Sequence, residues 1–147
     1  MNIIWSAAPS YAINMIEVAQ RKSLRIILNK DWFCSRRELY NIDLLPVSTL
    51  SDVNLCLNVF KISSNMLKNN VEIQLVNQVN RHQLRSRNNF VTPFCHTQLG
   101  GQNFYVRALS KFNALPPMIK NTFTLSLFKR RTKEYFYEIY CDANELN

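Results

Sequence analysis

The sequence predicts a mainly α-helical protein with a helical N-terminal half, a short β-hairpin near residues 90–106 and a long C-terminal helix. Three observations support this fold class. Apolar residues recur at helical spacing through the first half of the chain. The only two glycines, Gly100 and Gly101, stand between two short apolar stretches, which is typical of a hairpin turn. Hydrophobic residues make up 47% of the 147 positions, enough to bury a core.

The first predicted helix runs from Ser10 to Asn29. Ser10 is its predicted N-cap, because a serine hydroxyl can accept a hydrogen bond from an amide of the first turn. Its polar face carries Arg21, Lys22 and Arg25. The residues predicted to be buried recur at helical spacing, and they are Ile13, Ile16, Leu24 and Ile27.

Two further helices follow in the first half. Ser35 and Glu38 have the spacing of a capping box, which starts a short helix that ends before Pro46. The third helix begins near Thr49 and ends around Lys68, where two asparagines interrupt the pattern. Its predicted buried stripe consists of Leu50, Val53, Leu57, Phe60 and Leu67.

The helical periodicity weakens over residues 71–89, and the polar, basic stretch "NRHQLRSRNN" within them is predicted to be a loop. Two short strands about the glycine pair then form the predicted hairpin, with Pro93 confining the first strand to an edge. A short helix over residues 107–115 is expected to stop at the two prolines that follow. The last helix begins near Thr124, and its predicted buried residues are Leu125, Phe128, Tyr135 or Phe136, and Ile139.

The positive charge is concentrated in one long stretch. The formal net charge is +8, and residues 73–133 contain ten Lys or Arg residues and no Asp or Glu. Such a segment presents a positive potential that attracts phosphate, although a solvated basic face is the alternative. Aromatic side chains are interleaved with these cations and can either stack on bases or belong to the core: Phe90, Phe94, Phe104, Tyr105 and Phe112.

The cysteines do not have the spacing of a metal site or of a disulfide framework. Cys34, Cys56, Cys95 and Cys141 lie far apart and are predicted to be free thiols. Cys95 next to His96, with His82 nearby, suggests a metal site or a nucleophile, but zinc sites need paired ligands at close spacing. We therefore expect no metal, no cofactor and no catalytic residue.

The sequence also predicts no association with a membrane. Apolar runs stay well below the roughly 18 residues that a membrane-spanning helix needs. The first residues lack the basic leading region of a secretory signal. We expect an intracellular protein of the nucleus or the cytoplasm.

A family resemblance is carried by six stretches in chain order: "WSAA", "INMIEVAQRKSLRIILNK", "RELYNIDLLPVSTLSDVNLCLNVFKI", "HQLRSRNNF", "GGQNFYVRALSKFNALPPMIKN" and "TLSLFKRRTKEYF". Together they resemble the region downstream of the polymerase core in non-LTR retrotransposon reverse transcriptases, particularly those of jockey-like elements. The resemblance extends over nearly the whole chain. The corresponding residues are Trp5, Gln20 to Ile27, Arg37 to Tyr40, Leu45-Pro46, His82 with Arg87, Asn113-Leu115-Pro116, and Phe128 to Arg130.

The sequence also departs from that family. Phe112 stands where the family usually has Trp, which keeps an aromatic anchor but loses the indole donor. A reverse transcriptase holds two metal ions with Asp carboxylates, including the pair in Tyr-x-Asp-Asp, whereas "YCDA" at Tyr140 has one Asp. Polymerase palm and endonuclease carboxylates are absent, so the resemblance implies a truncated, detached tail that is not an enzyme.

The resemblance implies a helical, thumb-like segment at residues 1–70 and a basic hairpin-plus-helix tail at residues 71–147, together forming one structural unit. It places Arg21, Lys22 and Arg25 on a helix just after the palm, where phosphate of the template and primer is gripped, with a solvated face as the alternative. The charge pattern adds six predicted nucleic-acid-binding residues: Arg81, Arg85, Arg87, Lys129, Arg130 and Arg131.

Two main functional hypotheses remain. The first is a non-catalytic remnant that binds RNA or single-stranded DNA without sequence preference. The second is a helical interaction module that packs on a polymerase core or another protein, and a remnant without selected function is a third possibility. The apolar stripe of the first helix also predicts self-association. Phe104, Phe112, Leu115 and Pro116 are expected to pack as a structural joint rather than to bind a ligand.

Overall fold

The computed structural model describes residues 8–67, 73–79 and 88–145, and it confirms a mainly helical fold with a long C-terminal helix. The helices are α1 (Ser10–Ile27), α2 (Arg36–Leu39), α3 (Val47–Ser63), α4 (Val76–Val79), α5 (Gln98–Gly101), α6 (Phe104–Ala114), α7 (Pro117–Lys120) and α8 (Leu125–Glu145).

The chain divides into two compact units. Unit 1 consists of Met1–Asn54 and Lys129–Asn147, and unit 2 consists of Leu55–Phe128. The boundaries between them fall within α3 and within α8. The two segments predicted from the sequence, residues 1–70 and 71–147, thus differ in their limits from these packing units.

The start of α1 differs from the prediction. Pro9, not Ser10, is the N-cap, and no side chain caps the helix. The Pro9 carbonyl oxygen accepts hydrogen bonds from the amides of Ala12 and Ile13, at 3.0 and 3.3 Å. Since proline has a fixed φ and no amide hydrogen of its own, it fits a helix start without a capping hydroxyl.

The buried face of α1 is also narrower than predicted. Leu24 is buried, whereas Ile16 and Ile27 are exposed, so the prediction for those two residues was wrong. Hydrogen bonds of polar side chains determine which face of α1 points inward. The Glu17 carboxylate accepts hydrogen bonds from the amide and hydroxyl of Ser48. The Gln20 side chain donates to the Leu45 carbonyl oxygen at 3.1 Å. Because α1 has apolar residues around much of its circumference, their periodicity alone does not identify the buried face.

The predicted capping box at α2 is confirmed. The Ser35 hydroxyl accepts from the Glu38 amide at 3.3 Å, and the Glu38 carboxylate accepts from the Ser35 amide at 3.4 Å. The Ser35 hydroxyl also donates to the Glu38 carboxylate at 3.0 Å, and this hydrogen bond, followed by that of the Ser35 amide, lowers the pKa of Glu38 below its ordinary value. Two otherwise unsatisfied amides therefore have partners at the start of this short helix.

Asparagine ends both α1 and α3. Asn29 and Asn65 have φ angles of 49° and 55°. The amide of the residue after each asparagine donates to a carbonyl oxygen of the last helical turn, to Arg25 O at 2.9 Å in α1 and to Lys61 O at 2.8 Å in α3. This is the Schellman arrangement, which more often uses glycine because glycine adopts positive φ without strain. The end of α3 at Ser63 corrects the predicted end near Lys68. Leu67 is exposed rather than part of the buried stripe.

The predicted β-hairpin is wrong, because the described residues contain no β-sheet and the glycine pair belongs to α5. Neither glycine has a positive φ. Gly100 instead allows its backbone to lie close to the side chains of Thr97 and Cys95. A Cβ at this position would lie 3.1 Å from Thr97 Oγ1 and 3.2 Å from Cys95 Cβ. The segment expected to be the second strand begins α6, because the Asn103 side chain accepts from the Tyr105 amide at 2.9 Å and caps a helix.

Residues 89–91 are extended and bonded on both edges. On one edge, Val76 N donates to Asn89 O at 2.9 Å and Val91 N donates to Gln74 O at 2.8 Å, around an isolated antiparallel bridge. On the other edge, the Asn113 side chain accepts from Phe90 N at 2.9 Å and donates to Phe90 O at 2.8 Å. Because alternate backbone groups of an extended chain point to opposite sides, one carboxamide takes the place of a neighbouring strand.

Unit 1 packs around a cluster of Leu24, Leu39 and Tyr40, with Tyr137 and Tyr140 of α8 against it. The Tyr137 hydroxyl donates to the Tyr40 carbonyl oxygen at 3.0 Å. The Tyr40 and Tyr140 rings meet edge to face, with their centroids 5.7 Å apart. Helices from both ends of the sequence therefore share one core.

Unit 2 is built around stacked phenylalanines. The Phe128 ring stacks on Phe60 at 4.3 Å and on Phe112 at 5.9 Å, and Phe112 contacts Phe90 at 5.4 Å between centroids. Phe60, Phe112 and Phe128 are buried.

Two predictions for the second half of the chain are confirmed: α6 ends before the proline pair, and α8 begins just after Thr124. Ile139 of α8 is exposed, contrary to the prediction.

Candidate nucleic-acid interface

The basic residues are divided unequally between the two units. Unit 2 contains eight Lys or Arg residues and one carboxylate, Glu72, a formal net charge of +7. Unit 1 contains ten Lys or Arg residues and nine Asp or Glu residues, a net charge of +1. Almost all of the excess positive charge therefore belongs to unit 2, where it has little internal neutralisation.

Many cations of unit 1 lie beside carboxylates of the same unit. Each exposed pair adds little to stability, but a carboxylate at this distance weakens the attraction of its cation for phosphate. The ion pairs among the described residues of this unit are Lys30–Glu38 (3.4 Å), Arg37–Asp142 (3.1 Å), Arg130–Glu134 (3.7 Å) and Lys133–Asp43 (3.8 Å).

The three predicted residues of α1 do not form one group. Arg21 is half-buried near Tyr40, on the side of Leu24. Burial raises the pKa of Tyr40 to about 12, with Tyr140 contributing, while the charge of Arg21 opposes the shift. Lys22 and Arg25 instead line a shared open groove near the end of α1.

The three predicted residues of α8 all lie in its first turns, within unit 1. Lys129 and Arg130 are exposed and Arg131 is half-buried. The Arg130 guanidinium lies 3.7 Å from the Glu134 carboxylate, one turn further along the same helix. The Glu134 carboxylate therefore weakens the attraction of the exposed Arg130 guanidinium for phosphate.

The remaining predicted residues, Arg81, Arg85 and Arg87, lie outside the described residues, as does His82. They belong to unit 2 by position in the chain and account for three of its eight cations. Their role in binding stays a prediction.

Two half-buried cations that sequence reasoning missed lie on α6. Arg107 and Lys111 are four residues apart, which places them on one face, while Ala108, Leu109 and Phe112 are buried on the other. The spacing is visible in the sequence once residues 107–115 are read as a helix. These two side chains extend the positive surface of unit 2.

Lys120 serves the fold instead. Its ammonium donates to Asn113 O at 2.6 Å and to Asn89 Oδ1 at 3.1 Å. Burial lowers the pKa of Lys120 below its ordinary value. A cation that bonds the carbonyl near the end of α6 satisfies that helix terminus, so Lys120 is not a candidate phosphate contact.

The aromatic side chains of the basic stretch differ in their surroundings. Phe90 and Phe112 pack in unit 2, and Phe104 and Tyr105 are half-buried against each other at 5.3 Å. Phe94 is exposed, with the His96 ring edge-on at 4.7 Å. Most of these rings are therefore part of the packing.

The four cysteines are free thiols in different surroundings. Cys95 Sγ lies 3.8 Å from the Pro93 carbonyl oxygen, and Cys56 and Cys141 are buried. Within the described ranges, no three His, Cys, Asp or Glu side chains converge in a way that would hold a metal ion.

In the part of the chain that the structure describes, no helix has both the length and the apolar character needed to cross a membrane. Comparisons with models of protein families, with curated proteins and with solved structures find no match. The likeness to retrotransposon reverse transcriptases accordingly rests on the sequence motifs alone.

Proposed function

We propose that the protein is a non-catalytic binder of RNA or single-stranded DNA, derived from the tail of a retrotransposon reverse transcriptase. The observation that carries this proposal is the charge of unit 2, with eight cations and the single carboxylate Glu72. Because the formal charge of unit 2 is almost entirely positive, its binding to phosphate releases condensed counterions, and this drives association regardless of base sequence.

Two cations of α6 are the first candidates for phosphate contacts of unit 2. Arg107 and Lys111 are separated by one helical turn, which places their Cβ atoms about 5–6 Å apart. Two cations at this distance can contact the same nucleic-acid strand. Phosphate contacts position a protein on nucleic acid but do not read its sequence, so we expect similar affinities for unrelated sequences.

The test is the salt dependence of binding, measured by fluorescence anisotropy with labelled RNA and single-stranded DNA. With about four phosphate contacts, log affinity against log salt should have a slope near −3, from roughly −0.7 per contact. Affinity should then fall roughly 50-fold between about 50 and 200 mM salt. A binding curve that is insensitive to salt would contradict the proposal.

Charge variants identify which cations contribute. The pair Arg107→Gln and Lys111→Gln should reduce the magnitude of the slope by about 1.4 if both side chains are among the phosphate contacts. The triple change of Lys129, Arg130 and Arg131 to Gln should reduce it by about 2 if all three side chains contact phosphate. As a matched control, changing Arg37 and Lys133 to Gln removes two cations that already pair with Asp142 and Asp43, so the slope should stay the same.

We expect no DNA synthesis by the purified chain on a primed RNA template with Mg²⁺ or Mn²⁺. Two-metal phosphoryl transfer needs several carboxylates that clamp both ions. Asp142, the only carboxylate of "YCDA", lies 3.1 Å from Arg37 in an ion pair. Nucleotide incorporation that survives repurification, and that Asp142→Asn abolishes, would refute this expectation.

The alternative function, an interaction module that packs on a polymerase core or another protein, is favoured by a different observation. Tyr11, Met15 and Ile26 are exposed and lie on one side of α1. An apolar helix face of this kind is typical of a protein-binding surface. Salt-insensitive nucleic-acid binding, together with unchanged slopes in the charge variants, would favour this alternative.

A further inference from the structure

The segment after α1 folds back onto the helix. Asn29, with φ 49°, reverses the chain, and Lys30 N donates to Arg25 O at 2.9 Å. The reversal brings Trp32 to α1, where Arg25 Cζ lies over the indole ring, 4.7 Å from its centroid. A guanidinium over an indole face is a cation–π contact, and it covers one face of the ring.

The Trp32 groove lies at this turn. It is an open concavity of about 520 Å³, lined by Lys22, Arg25, Ile26, Asn29, Lys30 and Trp32. Three cations and one indole line it, and no carboxylate does, although one of the cations, Lys30, is paired with Glu38 at 3.4 Å. A neighbouring concavity of about 640 Å³ shares Asn29, Lys30 and Trp32 but also contains Asp31 and Glu38. The first concavity is the one suited to an anionic aromatic ligand.

The side chains of the Trp32 groove are arranged so that one ring face remains open. Trp32 is 65% exposed although Arg25 covers one side of its ring, so the opposite face meets solvent. Arg25 Nε is shielded from solvent and has no hydrogen-bond partner within the described ranges. The contact that the described residues show for this guanidinium is the stacking on Trp32. Lys22 is exposed on the preceding turn of α1.

We propose that the Trp32 groove binds one nucleotide of a single-stranded RNA or DNA, with the base stacked on the open face of Trp32 and a phosphate at Lys22. This inference rests on the proposed nucleic-acid binding and adds a base-stacking site in unit 1. Every base has a π-face, so stacking is compatible with binding that ignores sequence. Arg25 holds the indole from behind and adds positive charge beside the phosphate.

The experiment compares a short oligothymidylate with an abasic oligomer of the same number of phosphates. The variant Trp5→Phe leaves Trp32 as the sole tryptophan, so its fluorescence reports on the groove. We expect the oligothymidylate to quench this fluorescence and the abasic oligomer to leave it nearly unchanged. Trp32→Ala should weaken oligothymidylate binding about 5- to 150-fold and leave abasic binding and the salt slope unchanged.

Two further variants make the result specific. Phe33→Ala removes the adjacent aromatic side chain, which is 94% exposed and lines the neighbouring concavity but not the Trp32 groove, and it should leave both affinities unchanged. Lys22→Gln should reduce the salt slope by about 0.7 with both oligomers. Circular dichroism of each variant checks that α1 and its neighbours remain folded.

The outcomes separate this inference from the proposed function. If both oligomers bind equally, with salt dependence and without a change in Trp32 fluorescence, the nucleotide site is wrong and the charge-driven function stands. If Trp32→Ala and Phe33→Ala weaken binding equally, the site is also wrong, because general exposure of aromatics then explains the effect. Absence of salt-dependent binding to either oligomer overturns both proposals.

Discussion

Replacing Phe128 by Ala is expected to lower the free energy of unfolding by about 3–5 kcal/mol. The Phe128 side chain is fully buried, and its ring stacks on Phe60 at 4.3 Å and on Phe112 at 5.9 Å. Truncation removes its apolar surface and leaves a cavity between two rings that the backbone of their helices holds in place. Urea unfolding followed by circular dichroism measures the loss.

Phe123 provides a matched control for that variant. It lies five positions earlier in the sequence and is 96% exposed, so Phe123→Ala should change stability by no more than about 0.5 kcal/mol. Equal losses from the two variants would mean that the aromatic stack does not hold unit 2 together. A loss at Phe128 smaller than about 1 kcal/mol would have the same meaning.

Features that depend on a few adjacent residues could be predicted from the sequence. The Ser35–Glu38 capping box involves residues three apart, and its hydrogen bonds form within one helical turn. The end of α6 before Pro116 is equally local, because a proline at the next positions prevents further helix hydrogen bonding. Such signals need no knowledge of the tertiary structure.

Features that depend on distant partners could not be predicted. Leu24 is buried and Ile27 is exposed because two hydrogen bonds orient α1. Ser48 donates to the Glu17 carboxylate, and the Gln20 side chain donates to the Leu45 carbonyl oxygen. The hairpin was predicted from two glycines, but the partners of the extended segment come from residues 74–76 and from a side chain in α6. Pairing between such segments is a tertiary effect that overrides local turn preference.

The candidate interface also depends on contacts between residues that are distant in sequence. Arg37 pairs with Asp142 across 105 positions of sequence, and the pairing changes what a count of charges along the chain implies. Unit 1 combines the basic residues of α1 and α8 with nine carboxylates, whereas Glu72 is the single carboxylate in the sequence of unit 2. The Trp32 groove depends on the chain reversal at Asn29, which the linear pattern of apolar residues does not reveal.

Replacing Asn113 by Ala is expected to lower the free energy of unfolding by about 2–4 kcal/mol. Its carboxamide accepts from Phe90 N at 2.9 Å and donates to Phe90 O at 2.8 Å, so truncation leaves two backbone groups without partners. Each partly buried group then bears a desolvation cost that water only partly relieves. The affected segment also carries the Phe90 ring that packs on Phe112.

Hydrogen exchange at individual amides makes this prediction specific. In Asn113→Ala the Phe90 amide should lose protection, whereas the Val91 amide, which donates to Gln74 O at 2.8 Å on the opposite edge, should keep most of its own. Asn121→Ala is the matched control, since that side chain is exposed. It should change stability by less than about 0.5 kcal/mol. If the Phe90 amide stays protected without Asn113, another group bonds that edge, and the Asn-x-Leu-Pro turn acts only as the stop of α6.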